Sequence, residues 1–162
     1  MSIKYFLTDE IIFDAKNDAV PYNYRISYKI AQLCLILFTN CGKGGCSLIK
    51  LHMISMAMCT NKDMTKILNF AEDSSQTYTL IRFDPAVNRA VKYALADNII
   101  YQQANGYFKL TEKGRTFANS IKKDAELMVR EKSFLDKLSN KLTEDRIKNL
   151  MSFWREQGAN NK

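Results

Sequence analysis

Four cysteines and a single histidine are the side chains best suited to chemistry here: Cys34, Cys41, Cys46, Cys59 and His52. Cys41 and Cys46 bracket the stretch Cys-Gly-Lys-Gly-Gly-Cys. A phosphate-binding loop needs a glycine-rich turn followed by Lys and Ser/Thr, set between a strand and a helix, so that backbone N–H groups surround the phosphates. Here Lys43 lies among the glycines and the preceding segment reads as a helix, so a turn between two helices accounts for the motif. Structural zinc sites use two closely spaced ligand pairs arranged tetrahedrally. Cys41 and Cys46 are five apart, and His52 and Cys59 are seven apart on an expected helix, which makes only a partial pattern. Buried or incidental thiols are expected, with no metal and no cofactor. Cys34 falls inside an apolar run and reads as a small buried hydrophobe.

Catalytic constellations are sparse. There is one His, no Gly-x-Ser-x-Gly elbow and no metal-binding pair of histidines. Asp9, Glu10, Asp14 and Asp18 cluster near the start without basic or metal-ligand partners, and Glu72-Asp73 reads as a helix end. The chain is therefore expected to bind or assemble rather than catalyse.

The elements that must position these residues are mostly helical. Gly (6) and Pro (2) are scarce, which disfavours long loops and all-β designs. With 46% hydrophobic and 25% charged residues, a packed core is expected. Ile26, Ile30, Leu33 and Leu37 recur on one face of a 3.6 repeat, and Cys34, Leu35, Ile36 and Phe38 fill the remaining faces. That predicts a central buried helix over 23–41, ended by Gly42 to Gly45. A second helix is expected over 47–58, and a third after a cap at Asn61 or Asp63, carrying Met64, Ile67, Leu68 and Phe70. Residues 77–83 read as extended. Asp84-Pro85 supplies an N-cap and first-turn proline for a helix with Val87, Ala90, Val91, Ala94 and Leu95 as its apolar face.

Two β-prone runs, Ile99 to Gln103 and Tyr107 to Leu110, then flank Asn105-Gly106, a strong hairpin signal. Leu-Thr-Glu-Lys-Gly (110–114) follows, with Leu110 expected to plug the core and Thr111 to cap the next helix. Helix, hairpin and this return resemble the end of a winged-helix domain. Ile121, Ala125 and Met128 are expected to continue helically toward Leu135, Leu138 and Leu142, and Thr143 to cap a final helix with Ile147, Leu150, Met151 and Trp154 on one face. The expected class is mostly α with a small β-hairpin (α+β), a winged helix-turn-helix with a C-terminal helical extension. The expected division is a docking segment over 1–22, the winged-helix domain over 23–118 and the extension over 119–162. The first segment is either a strand and turn on the body or an arm on another subunit.

Net charge is +7, unevenly spread: two Lys against four acids in 1–20, ten basic against five acidic in 21–110, and twelve against eight in 111–162. This fits contact with nucleic acid or an acidic protein surface, or simply a solvated basic exterior. No apolar run approaches the roughly 20 residues of a membrane span, and residues 1–6 lack secretory-signal features, so a cytoplasmic protein is expected. If the domain reads duplex DNA, the helix beginning at Pro85 would present Asn88, Arg89 and Lys92, and the wing Gln102, Gln103, Asn105 and Lys109. Those cations are few for a dedicated sequence reader, and a winged helix used for protein contacts weighs equally. Ile147, Leu150, Met151 and Trp154 must bury themselves on this chain or on a partner.

The helix over 23–41, the glycine turn and Ser-Leu-Ile-Lys-Leu-His-Met-Ile-Ser-Met-Ala-Met (47–58), followed by the late hairpin, together resemble the middle component of bacterial ABC-three-component systems, of the Lamassu-like anti-phage group. The resemblance spans roughly residues 20–118 and rests on apolar patterning and the Lys-Leu-His segment. It implies a non-catalytic winged-helix accessory subunit that associates with an SMC-like ABC ATPase and an effector, often a nuclease, bridging or regulating them. The ATPase and nuclease chemistry would lie on those other chains. No site residue is carried over. The alternative is a homodimeric winged-helix transcription regulator that binds double-stranded DNA, with its C-terminal helices as the dimer interface.

Overall fold

The computed structural model describes residues 25–73 and 83–160. The docking segment expected over 1–22 and nearly all of the extended run expected over 77–83 lie outside the described residues. Within them, the chain is mostly helical with one small antiparallel sheet.

Helix α1 (Ile26–Thr39) is the central element, with Leu33 through Leu37 all buried. It ends at Asn40, whose amide bonds back to the carbonyl of Ile36, before the glycine turn begins. Helix α2 (Leu48–Ala57) starts on Ser47, whose hydroxyl accepts the amide of Lys50. Helix α3 (Asn61–Glu72) is capped by Thr60, ahead of both expected caps, Asn61 and Asp63, which fall inside its first turn. The Thr60 hydroxyl accepts the amide of Asp63 and donates to its carboxylate, closing the first turn locally. Helix α4 (Pro85–Ala96) begins as its sequence dictates, with the Asp84 carboxylate accepting the Ala86 amide.

Strands β1 (Ile100–Gln102) and β2 (Phe108–Leu110) pair antiparallel with Tyr101 opposite Lys109. Gly106 sits at φ +83° at the tip, a left-handed angle that favours glycine. Cys46 forms an isolated bridge to Phe108. The sheet thus gains a one-residue third member in the order Cys46, β2, β1. Leu110 is buried, and Thr111 caps α5 (Glu112–Lys123) by accepting the Gly114 amide.

Past α5 the expected helical continuation fails. The Asp124 carboxylate accepts the amides of Glu126 and Leu127, a local turn that competes with the helix, and Ala125 is exposed. Helix α6 (Val129–Leu138) starts afresh after Met128 at φ 49°. Helix α7 (Glu144–Asn160) is capped by Thr143 as its sequence predicts.

One apolar cluster runs from Leu33 to Leu150 without a break. The domain boundary expected at residue 118 falls inside α5, and the helices beyond it share the core. Helix α6 packs on α1 and α3, and α7 on α2. The Asn40 side-chain amide donates to the carbonyls of Leu135 and Ser139, closing the end of α6. Arg130 reaches the carbonyl of Met58 at the end of α2, and Arg146 the carbonyl of Phe70 near the end of α3. Each places a guanidinium at a helix C-terminus, where the backbone dipole favours a cation.

Gly114 is packed too tightly for any side chain: a Cβ there would lie 2.0 Å from the Ile99 carbonyl oxygen. Gly114→Ala is expected to lower stability by about 1–3 kcal/mol in chemical denaturation. Gly44→Ala, with open space at that position, should change it by less than about 0.5 kcal/mol. Equal effects at the two glycines would contradict this packing.

Candidate functional site

The least expected feature is a buried polar cluster where α1, α2 and the start of α4 meet. Lys29 is 1% exposed, although it lies on the apolar stripe of α1. Its ammonium donates to the Ser55 hydroxyl at 2.9 Å and faces the Asp84 carboxylate at 3.1 Å. The Gln32 side-chain oxygen accepts from Lys29 at 3.3 Å and from Ser55 at 2.7 Å. The charge and its partners are therefore satisfied together, as a buried ion must be.

His52 extends the cluster. The Asp84 amide donates to Nδ1 at 3.1 Å, so the neutral ring carries its proton on Nε2. Nε2 then donates to the Asn88 side-chain oxygen at 3.0 Å. Phe83 meets the ring edge-on with centroids 5.0 Å apart. Burial pulls the His52 pKa below its ordinary value of 6.5, and the charge of Lys29 acts in the same direction. Both ring nitrogens are engaged within the fold, which removes His52 from any zinc set.

Three of the thiols, Cys34, Cys46 and Cys59, are also held back. Burial pushes the Cys34 pKa up to about 12. Cys46 is raised by its hydrogen bond with Cys41 and by burial, and Cys59 by burial. At these three positions the thiolate, the reactive and metal-binding form, is disfavoured at neutral pH. Among the described residues no group of three His, Cys, Asp or Glu side chains is placed to hold a metal ion.

The residues expected at a nucleic-acid surface separate into two kinds. Arg89 and Lys92 project from α4 into solvent beside the exposed Tyr93. The neutral side chains instead serve the chain's own structure. Asn88 gives its oxygen to His52. Gln102 donates to the Gly106 carbonyl, and the Asn105 oxygen accepts the Tyr107 amide. Gln103 donates to the Gly44 carbonyl at 2.8 Å, tying the hairpin to the glycine turn. Lys109 lies at the same junction, half-buried.

The four C-terminal apolar residues divide as well. Ile147 and Leu150 are buried in this chain's own core. Met151 and Trp154 remain half-buried at its margin. Ile147 and Met151 line a mainly apolar groove of about 410 Å³, whose other walls include Ile49 and Tyr107. Glu144, at one end, accepts the Ser47 amide at 2.8 Å and fixes α7 to the start of α2. Sequence periodicity located this face of α7, but not its division between core and groove. It missed Lys29, Gln32, Ser55 and Asp84 as a cluster. The available signal was a lysine standing in register with Ile26 and Leu33 on the stripe of a buried helix.

In comparisons with known proteins, no family model, no curated protein and no solved structure matches this chain. Among the described residues no helix is long and apolar enough to cross a membrane.

His52 makes a pH prediction. Its folded pKa lies below the unfolded value near 6.5, so its neutral form supports the fold above that pH, and stability falls as pH drops below it. A second ring proton would point Nδ1–H at the Asp84 N–H. It is the only histidine in the chain, so its ring signals can be followed by NMR without ambiguity. An observed midpoint at or above 6.5 would refute the assigned environment.

Proposed function

We propose that this chain is a winged-helix assembly subunit, the non-catalytic middle component of an SMC-like ABC ATPase defence complex of the Lamassu type. The winged-helix reading draws on the succession α1, bridge residue Cys46, α2, α3, α4 and the β1–β2 hairpin, with strand order Cys46, β2, β1. One extra helix stands between the bridge and the hairpin relative to the simplest winged helix-turn-helix, and on this reading α4 takes the recognition position. The subunit role draws on the sequence resemblance and on the absence of a recognised catalytic motif.

The observation that carries assembly over DNA reading is how the polar side chains are used. Asn88, Gln102, Gln103 and Asn105 bond to this chain's own backbone and ring groups. Each bond commits one group of the amide to this chain and leaves fewer for base edges. The α7 face, by contrast, keeps an open apolar groove beside the hairpin, suited to an inserted apolar side chain of a partner. A second reading, a homodimeric DNA-binding regulator in the cytoplasm, is favoured by the free cations Arg89 and Lys92 on α4.

The reading requires an SMC-like ABC ATPase gene and an effector gene beside this one, and co-expression of the three should yield a complex that survives gel filtration. Met151→Glu should disrupt that complex while leaving the thermal midpoint within a few degrees of native. Failure of the native chain to associate at micromolar concentration would rule the subunit role out. For the regulator, Arg89→Ala/Lys92→Ala should weaken duplex binding and reduce the slope of log affinity against log salt by about 2. An unchanged slope would dismiss that alternative.

A further inference from the structure

A second cavity, unrelated to the α7 groove, lies where the glycine turn, strand β2 and the first turns of α5 converge. Its volume is about 190 Å³. Three cations line it, one from each element: Lys43, Lys109 and Arg115. Among the described residues, none of the three takes part in an ion pair. Leu37 and Leu110, which are both buried, also line the cavity. Phe38 stands partly exposed at the same cavity.

The local backbone is built to hold this arrangement. Gly45 takes φ +77°, and a Cβ there would lie 2.4 Å from the Phe108 carbonyl oxygen and 2.8 Å from Lys109 Cγ. Only glycine lets the turn approach β2 so closely. Gln103 fastens the turn from the hairpin side, and the Cys46 amide donates to the Phe108 carbonyl. The turn bearing Lys43 is thus locked against the strand bearing Lys109. Gly42 and Gly44 leave open space where side chains would stand.

Like charges lining one cavity repel one another and together attract an anion. Among the described residues no carboxylate oxygen lies within 4.0 Å of their side-chain nitrogens. The volume amounts to roughly six waters, room for one tetrahedral anion and its ester arm. An arginine fork with two flexible ammonium groups suits phosphate oxygens. Phe38 adds an aromatic face on which a base can stack.

We infer that the Lys43–Lys109–Arg115 cavity is a binding site for the phosphate of a nucleotide, either free or within a nucleic-acid strand. The site is independent of α4 and of the assembly role. It also gives the Cys-Gly-Lys-Gly-Gly-Cys stretch a phosphate-related use without the phosphate-loop architecture that it lacks: the lysine contributes by charge, and the glycines by closeness to the hairpin.

The test uses the full chain alone at low salt, with two fluorescent probes read by anisotropy: a labelled mononucleotide and a labelled twelve-residue DNA strand. Lys43→Gln/Arg115→Gln removes two charges at exposed positions, and its thermal midpoint should match the native chain's. It should weaken binding of the responsive probe by about tenfold or more, since each charge-assisted bond is worth about that factor. For the strand, it should lower the salt slope by about 1.4. Lys62→Gln/Lys123→Gln, at two exposed positions outside the cavity, serves as the comparison and should leave mononucleotide binding unchanged. Binding of the mononucleotide identifies free nucleotide as the source, and binding of the strand alone identifies a polymer backbone. Absence of binding by both probes, or equal affinity of the native and Lys43/Arg115 variant chains, would overturn the site. Neither result bears on association with an ATPase, which is measured with other chains present.

Discussion

The ion pair between Lys29 and Asp84 is the contact on which the rest of this structure depends. A lysine ammonium inside a protein is costly to desolvate, and its carboxylate partner likewise. Here each also makes another bond. Lys29 is held by Ser55 and Gln32, while Asp84 caps α4 through the Ala86 amide and sits at the positive end of that helix dipole. The pair therefore fixes where α4 begins, which face it turns to α1 and how far it stands from α2. Val87, Ala90, Val91 and Ala94 then bury themselves as a consequence. Because β1 follows within a few residues, with the Ile99 amide bonded to the Ala94 carbonyl, the hairpin inherits its position from the same contact.

The C-terminal helices secure the other side of α1. Asn40, Arg130 and Arg146 each bond carbonyls at or near a helix end, and Lys50 donates to the Asn40 carbonyl from within the core. The contacts of Asn40, Arg130 and Arg146 join residues 72 to 99 positions apart, and they bind the last helices to the first three. An extension held this firmly presents a defined surface. The groove along α7 and the cationic cavity behind the hairpin are both consequences of how these elements close on one another.

Much of this architecture was legible in the sequence because it follows local rules. Asp84-Pro85 starts a helix, Asn105-Gly106 turns a hairpin and Thr111 caps α5, each through contacts within three or four residues. The Ile26–Leu37 stripe announces a central helix in the same way. The errors occur where local signals compete or distant segments decide. Asp124 breaks a plausible helical pattern by capturing two amides. Lys29 is polar by type yet buried, because Asp84 and Ser55 arrive from elsewhere in the chain. The surroundings of the candidate binding residues were the least legible. Whether Gln103 reads a base or bonds Gly44, and whether Lys109 stands alone or joins Lys43 and Arg115, depends on how the glycine turn folds against the hairpin.

A proposed assembly subunit needs a rigid body that presents its surfaces in fixed relation, and the buried pair is the element that supplies that rigidity at α4. A double-mutant cycle on Lys29→Met and Asp84→Asn, read by chemical denaturation, tests it most directly. Each single substitution leaves a buried polar partner behind and should cost about 3–5 kcal/mol. The double variant should lose about 1–3 kcal/mol less than the sum of the two. Strictly additive losses, or single losses below about 1 kcal/mol, would contradict a coupled buried pair and with it the account of how α4 and the hairpin are placed.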